Sequence, residues 1–121
     1  LNREKLTEYF LKNFPEYEAT LKEHLDDYGE LLAHVFYGDT ICVKLIELLK
    51  DDTDNEEEIK KIFLLLEKMA VEGDIDVKEV LQVSILEVLG DDKDLLEKSY
   101  KYMGDKTNIA SDEIERFWGR K

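Results

Sequence analysis

The sequence predicts an all-α fold, an irregular antiparallel helical bundle or a short stack of helical hairpins with about seven to eight helices. Three observations lead there. Apolar residues recur at helical spacing along most of the chain. Four of the six glycines are followed directly by aspartate, at Gly38-Asp39, Gly73-Asp74, Gly90-Asp91 and Gly104-Asp105. Glycine reaches the left-handed conformation that closes a helix, and aspartate accepts from the open amides of the next one. Each dipeptide therefore reads as a helix stop followed by a start. The connections between these marks are short, so successive helices are expected to pack antiparallel in one domain, residues 1–121.

A first helix is expected over residues 3–12. A second starts near Pro15 and carries Tyr17, Leu21, Leu25 and Tyr28 on one stripe. A short third covers residues 30–37. The fourth, residues 40–50, buries Ile41, Leu45 and Leu48 or Leu49. The fifth, residues 55–72, carries Ile59, Ile62, Phe63, Leu66, Met69 and Ala70. The sixth, residues 77–89, is the most apolar and is expected at the centre. Leu81, Ile85, Val88 and Leu89 should form the core there with Phe63 and Leu66. Its β-branched run would suit a strand, but its length and spacing favour a helix. A seventh helix over residues 93–103 shows Leu96, Tyr100 and Met103, and a last turn or two spans residues 111–118. Asp54-x-x-Glu57 and Asp76-x-x-Glu79 read as capping boxes with Asp in place of Ser or Thr.

Charge is distributed unevenly over this frame. Residues 16–58 hold fourteen acidic and three basic residues, a net −11 out of −13 for all 121 residues. A face of like charge repels itself, but it steers a cationic partner and speeds its capture. The same acidity repels phosphates, so nucleic acid is not expected as a direct ligand. No apolar run approaches the roughly 18 residues of a membrane span, and no secretory signal is visible. The chain begins at Leu1 rather than Met, which points to residues missing ahead of it. The single cysteine, Cys42, reads as a buried apolar residue in a reducing, cytoplasmic setting.

Catalytic and metal signatures are weak. His24 and Asp27 share a helical spacing, but two ligands on a solvated face do not define a metal site. The run from Asp51 to Glu56 invites a calcium reading, yet it lacks the glycine at position six and the ligand alternation of an EF-hand loop. It reads instead as an interhelical loop whose acids favour a helix start. No Gly-rich phosphate loop and no Ser–His–Asp or Cys–His arrangement stands out. The expectation is a protein that is not an enzyme and uses no metal or cofactor.

The candidate site is accordingly a binding face. Adjacent aromatics cannot both point inward on one regular helix, so one of Phe36/Tyr37 and one of Phe117/Trp118 is expected to be exposed. Tyr37, beside Asp39, is the better candidate of its pair and is taken as an anchor together with Asp39. Asp26, Asp27, Glu30, Asp51, Asp52, Asp54, Glu56 and Glu57 supply the negative field. A core Tyr37 with a capping Asp39 is the competing structural reading.

One stretch resembles a known family. The segment Gly29-Glu30-Leu31-Leu32-Ala33-His34-Val35-Phe36-Tyr37-Gly38-Asp39, followed by Leu45-Ile46-Glu47-Leu48-Leu49, is similar to a family of small bacterial helical proteins. So is Val80-Leu81-Gln82-Val83-Ser84-Ile85-Leu86-Glu87-Val88-Leu89-Gly90-Asp91, with Lys101-Tyr102-Met103-Gly104 after it. Members resemble immunity proteins encoded beside polymorphic toxins, including those of contact-dependent growth inhibition. The likeness departs at Ala33, where a proline would be expected before the histidine. It implies a monomeric cytoplasmic protein that neutralises one cognate toxin, commonly a basic nuclease or tRNA-cleaving domain, through an acidic surface. A helical-repeat adaptor or scaffold for a basic cellular protein, with a groove and several partners, is the alternative. An enzyme of unrecognised type would instead show convergent polar groups in a pocket.

Overall fold

Asn2 opens the first helix, α1 (Arg3–Asn13), by accepting a 2.9 Å hydrogen bond from the Lys5 amide. Leu6 and Phe10 point from α1 into the core. Pro15 has no amide to continue the ladder, so a single tight turn, Pro15–Tyr17, leads into α2 (Glu18–Tyr28). Gly29, at φ +74°, closes α2 in the left-handed conformation. In the computed structural model, which describes residues 1–51 and 55–121, no strand occurs among the described residues and all regular structure is helical. Asp52, Asp54 and the expected Asp54-x-x-Glu57 capping box lie outside the described residues.

The next helix does not stop where Gly38-Asp39 suggested. Ala33–Tyr37, Gly38–Cys42 and Val43–Lys50 form one continuous helix, α3, residues 33–50, whose middle segment is π-helical. Gly38 keeps ordinary right-handed angles, φ −63° and ψ −41°. A second continuous helix has the same design. After α4 (Glu56–Glu72), α5 covers residues 75–90 as Ile75–Glu79, a π-helical Val80–Leu86 and Glu87–Gly90. Asp74 caps α5 by accepting from the Val77 amide at 2.9 Å. Asp92 caps α6 (Lys93–Tyr100) by accepting from Asp94 and Leu95. The last helix, α7 (Asp105–Phe117), starts well before the expected residues 111–118.

α5 is central, as its composition predicts. Leu81, Ile85 and Leu89 are buried with Phe63 and Leu66 of α4, while Val88 turns outward at 41% exposure, against expectation. The two π segments pack against one another: a Cβ on Gly38 would lie 4.0 Å from Ser84. His34 Nδ1 and Ser84 Oγ meet across the same contact at 3.0 Å. A π turn advances each residue by a smaller angle than an α turn, so more consecutive residues face one way. Thr40, Ile41 and Cys42 are all buried, as are Ser84, Ile85 and Leu86.

The exposed anchor expected at Tyr37 is corrected by this packing. Phe36 and Tyr37 are both buried, Tyr37 completely. Two elements cover the start of α3 from different sides. Phe36 packs edge-on to Phe10 and to His24 of α2, and Tyr37 packs edge-on to Phe10. The Tyr37 hydroxyl is satisfied by Thr7 Oγ1 at 2.8 Å, and burial pushes its pKa up to about 12. At the C-terminal end, Phe117 and Trp118 are both exposed.

Candidate functional site: an acidic face beside an open groove

The acids of the face come from the solvent-facing positions of α2, α3 and α4 and from the connections beside them. Asp26 and Asp27 lie exposed on the outer side of α2, and Glu30 is exposed in the connection that follows. Asp39 is exposed on the π turn of α3 and caps no helix, because the helix runs through it. Asp51 is exposed at the C-terminal cap of α3. Glu56 and Glu57 are exposed in the first turn of α4. Along α3 these groups are spread over a helix about 26 Å long, at 1.5 Å per residue. They are spread over α2, α3 and the start of α4 and are not one cluster in sequence.

Not all of them project equal charge. Glu56 is met by Lys101 at 3.6 Å and by the Tyr102 hydroxyl at 3.3 Å, and Glu57 lies 3.8 Å from Lys60. Asp26, Asp27, Glu30 and Asp39 make no ion pair among the described residues. Three further acids, which the sequence did not single out, act together on Tyr17. Tyr17 titrates above its ordinary range because burial disfavours the phenolate and because the negative charges of Glu16, Glu58 and Glu47 add to that effect. These three acids come from three separate elements, and folding brings their charges within reach of Tyr17. Lys44 lies 3.9 Å from Glu58 and offsets part of that field.

Beside this face runs an open groove of about 620 Å³ between α1 and α2. Leu11, Leu21, Leu25 and Leu31 supply its apolar lining. Glu4, Glu8, Glu30, Arg3 and Asp76 stand among its polar residues. The groove explains why Leu25 departs from the expected stripe on α2. Leu25 and Tyr28 are 40% and 51% exposed, Tyr17 and Leu21 are half-buried, and His24 is the residue that α2 buries.

The chemistry-bearing side chains are occupied structurally. His24 packs against Tyr28 and Phe36, and its Nε2 accepts the Leu32 amide at 3.0 Å, so that nitrogen is not available to a metal. Among the described residues, no three or more His, Cys, Asp or Glu side chains converge as a metal group. Cys42 is a buried thiol whose pKa burial pushes up to about 11, which keeps it protonated and unreactive at neutral pH. His34 and Ser84 form a serine–histidine contact, but among the described residues no carboxylate bonds to the His34 ring to orient it as a base. Among the described residues no helix is long and apolar enough to cross a membrane.

The sequence pattern of the family described as "Domain of unknown function (DUF7674)" matches residues 7–119. No curated protein and no solved structure matches the chain.

Proposed function

We propose that this chain, which belongs to the family of domains of unknown function DUF7674, is a non-catalytic binding protein that captures a cationic protein on its acidic face. The sharper form of the reading is an immunity protein that neutralises a basic bacterial toxin domain. The observation that carries it is the set Asp26, Asp27, Glu30 and Asp39, exposed and without ion pairs among the described residues, on a chain of net charge −13. Such a field raises the encounter rate with a basic surface, and it acts on association more than on dissociation. An enzyme that binds a polyanion needs a basic cleft, and an acidic helical face is complementary to that cleft. Asp39 remains a contact candidate in this reading; Tyr37 is a core residue packed on Phe10 and bonded to Thr7.

The test is binding to a purified basic toxin domain, a tRNA-cleaving nuclease domain for instance, taken first from any gene that neighbours this one. Association rates are measured over a range of salt for the wild type and for Asp26→Asn/Asp27→Asn/Glu30→Gln. The reading expects slower association and a flatter salt dependence in the variant. Unchanged kinetics after charge neutralisation of the whole face would reject it. Capture of several unrelated basic proteins with similar rates would favour an adaptor over an immunity protein.

A further inference from the structure

We infer that the α1/α2 groove is the docking site for a basic amphipathic helix of the partner, with apolar side chains seated between the two helices and Lys or Arg on its rim. The inference rests on the cationic-capture reading and gives it a place of anchorage. The lining comes first. Leu11 and Leu21 flank the groove near the Pro15–Tyr17 turn, and Leu25 and Leu31 continue it toward the other end of α2. Leu25 is 40% exposed, although its spacing marks it as a core residue. An apolar stripe of this kind that the fold leaves uncovered fits the helix-in-groove mode of recognition.

The rim decides the charge of the occupant. Arg3 is turned to Asp76, with Nε 3.9 Å from its carboxylate. Glu4, Glu8 and Glu30 make no ion pair among the described residues. An occupant with basic residues flanking its apolar side complements them. A second copy of this chain would bring the same −13 charge against those acids. An anionic lipid surface would be repelled for the same reason. The dimensions also suit a helix. α1 and α2 have eleven residues each, which sets a groove about 16 Å long and room for roughly three turns of a partner helix.

The probe is a synthetic lysine–leucine peptide of about 14 residues with leucines at helical spacing, compared with an isomer of the same composition and scrambled order. Affinity is measured by calorimetry, and the contact is mapped by amide shifts in the intact protein. The helical-spacing peptide is expected to bind about tenfold more tightly than its isomer, because only it can seat its leucines together. The shifts should centre on Leu11, Leu21, Leu25 and Leu31. Leu21→Gln/Leu25→Gln should erase the preference between the isomers while the melting curve stays cooperative. If that variant does not fold, Glu4→Gln/Glu8→Gln/Glu30→Gln, which alters exposed carboxylates, should weaken the helical-spacing peptide and shrink its lead. Asp39→Asn/Glu47→Gln/Glu58→Gln should weaken both peptides alike.

Equal affinity for the two isomers, or shifts centred on the acids of α3, would overturn the groove while leaving capture of a basic protein intact. A sedimenting dimer that Leu25→Gln dissolves would assign the groove to a second copy and overturn it too. Binding of neither peptide would overturn the groove and the cationic-capture reading together.

Discussion

Two polar contacts show how single residues hold the helices in place. Tyr37 spends its hydroxyl on Thr7 across the α1/α3 contact. Tyr37→Phe keeps the ring packing and leaves Thr7, which also donates to the Arg3 carbonyl at 2.8 Å, with one partner fewer. A stability loss of about 1 kcal/mol in a denaturant melt is expected, with partner binding unchanged. A loss of binding without a loss of stability would return Tyr37 to the interface. Glu67 does a similar job at the start of α7. Its Oε1 accepts from the Thr107 amide at 2.8 Å and from the Thr107 hydroxyl at 2.9 Å, and its Oε2 accepts from the Lys106 amide at 3.2 Å. Desolvation pushes its pKa up, but these three bonds and the Lys106 charge outweigh it and hold the carboxyl below its ordinary range. A carboxyl whose pKa is lowered by folding stabilises the fold above its unfolded range and loses that contribution as pH falls. The melting temperature should therefore drop on acidification below about pH 4.5 by more in the wild type than in Glu67→Gln. Parallel pH profiles for the two proteins would sink this assignment. Gly104 belongs to the same device, because a Cβ there would run into the Glu67 carboxylate.

At the scale of elements, α5 carries the core and α2 carries the surface. Leu81 and Ile85 are buried by the helices around α5, and either change to Ala should cost about 2–5 kcal/mol. Val88→Ala, at a position 41% exposed, should cost much less. Denaturant melts of the three variants decide the ranking, and equal losses would contradict the π-helical course given to α5. α7 explains why its first turns escape a reading by hydrophobic periodicity. Its buried residues are Thr107, Ser111 and Glu115, a polar stripe at helical spacing. Glu115 is satisfied by Arg120, whose Nη2 donates at 2.7 Å and whose Nε donates at 3.2 Å. Arg120 also donates to Asp91 at 2.6 Å, tying the end of the chain to the α5/α6 junction. Gly90 sits under that junction, and a Cβ there would strike the Glu115 carboxylate. The Gly-Asp pairs thus mark places where helices meet or turn, and close approach rather than a left-handed backbone is what asks for glycine at Gly90 and Gly104.

At the scale of the whole molecule, charge opposes the fold and serves its proposed use. With net −13 and most of the excess within residues 16–58, the isolated protein repels itself. Raising the salt from low to physiological ionic strength should raise the melting temperature, because screening shortens the reach of that repulsion to about 8 Å. The same salt should slow capture of a basic partner. A melting temperature that falls with salt would mean that ion pairs such as Arg120–Asp91 outweigh the repulsion.

The helical class, the central place of α5, the burial of Cys42 and the acidity of residues 16–58 are determined by the sequence alone. Each follows from local quantities, namely apolar spacing, residue type and formal charge, which a linear chain already carries. Tertiary structure decides the rest. It runs α3 through Gly38, where a helix stop was expected, because the two π segments pack there and Gly38 sits against Ser84. It buries both Phe36 and Tyr37, because α1 and α2 cover the start of α3 from different sides. It uncovers Leu25, because α2 leaves a groove beside α1 instead of closing on it. It brings the charges of Glu16, Glu47 and Glu58 from three elements within reach of Tyr17. Contacts between distant segments leave no periodic mark in a sequence, so the exposed groove and the acids that act together on Tyr17 become visible only once the chain has folded.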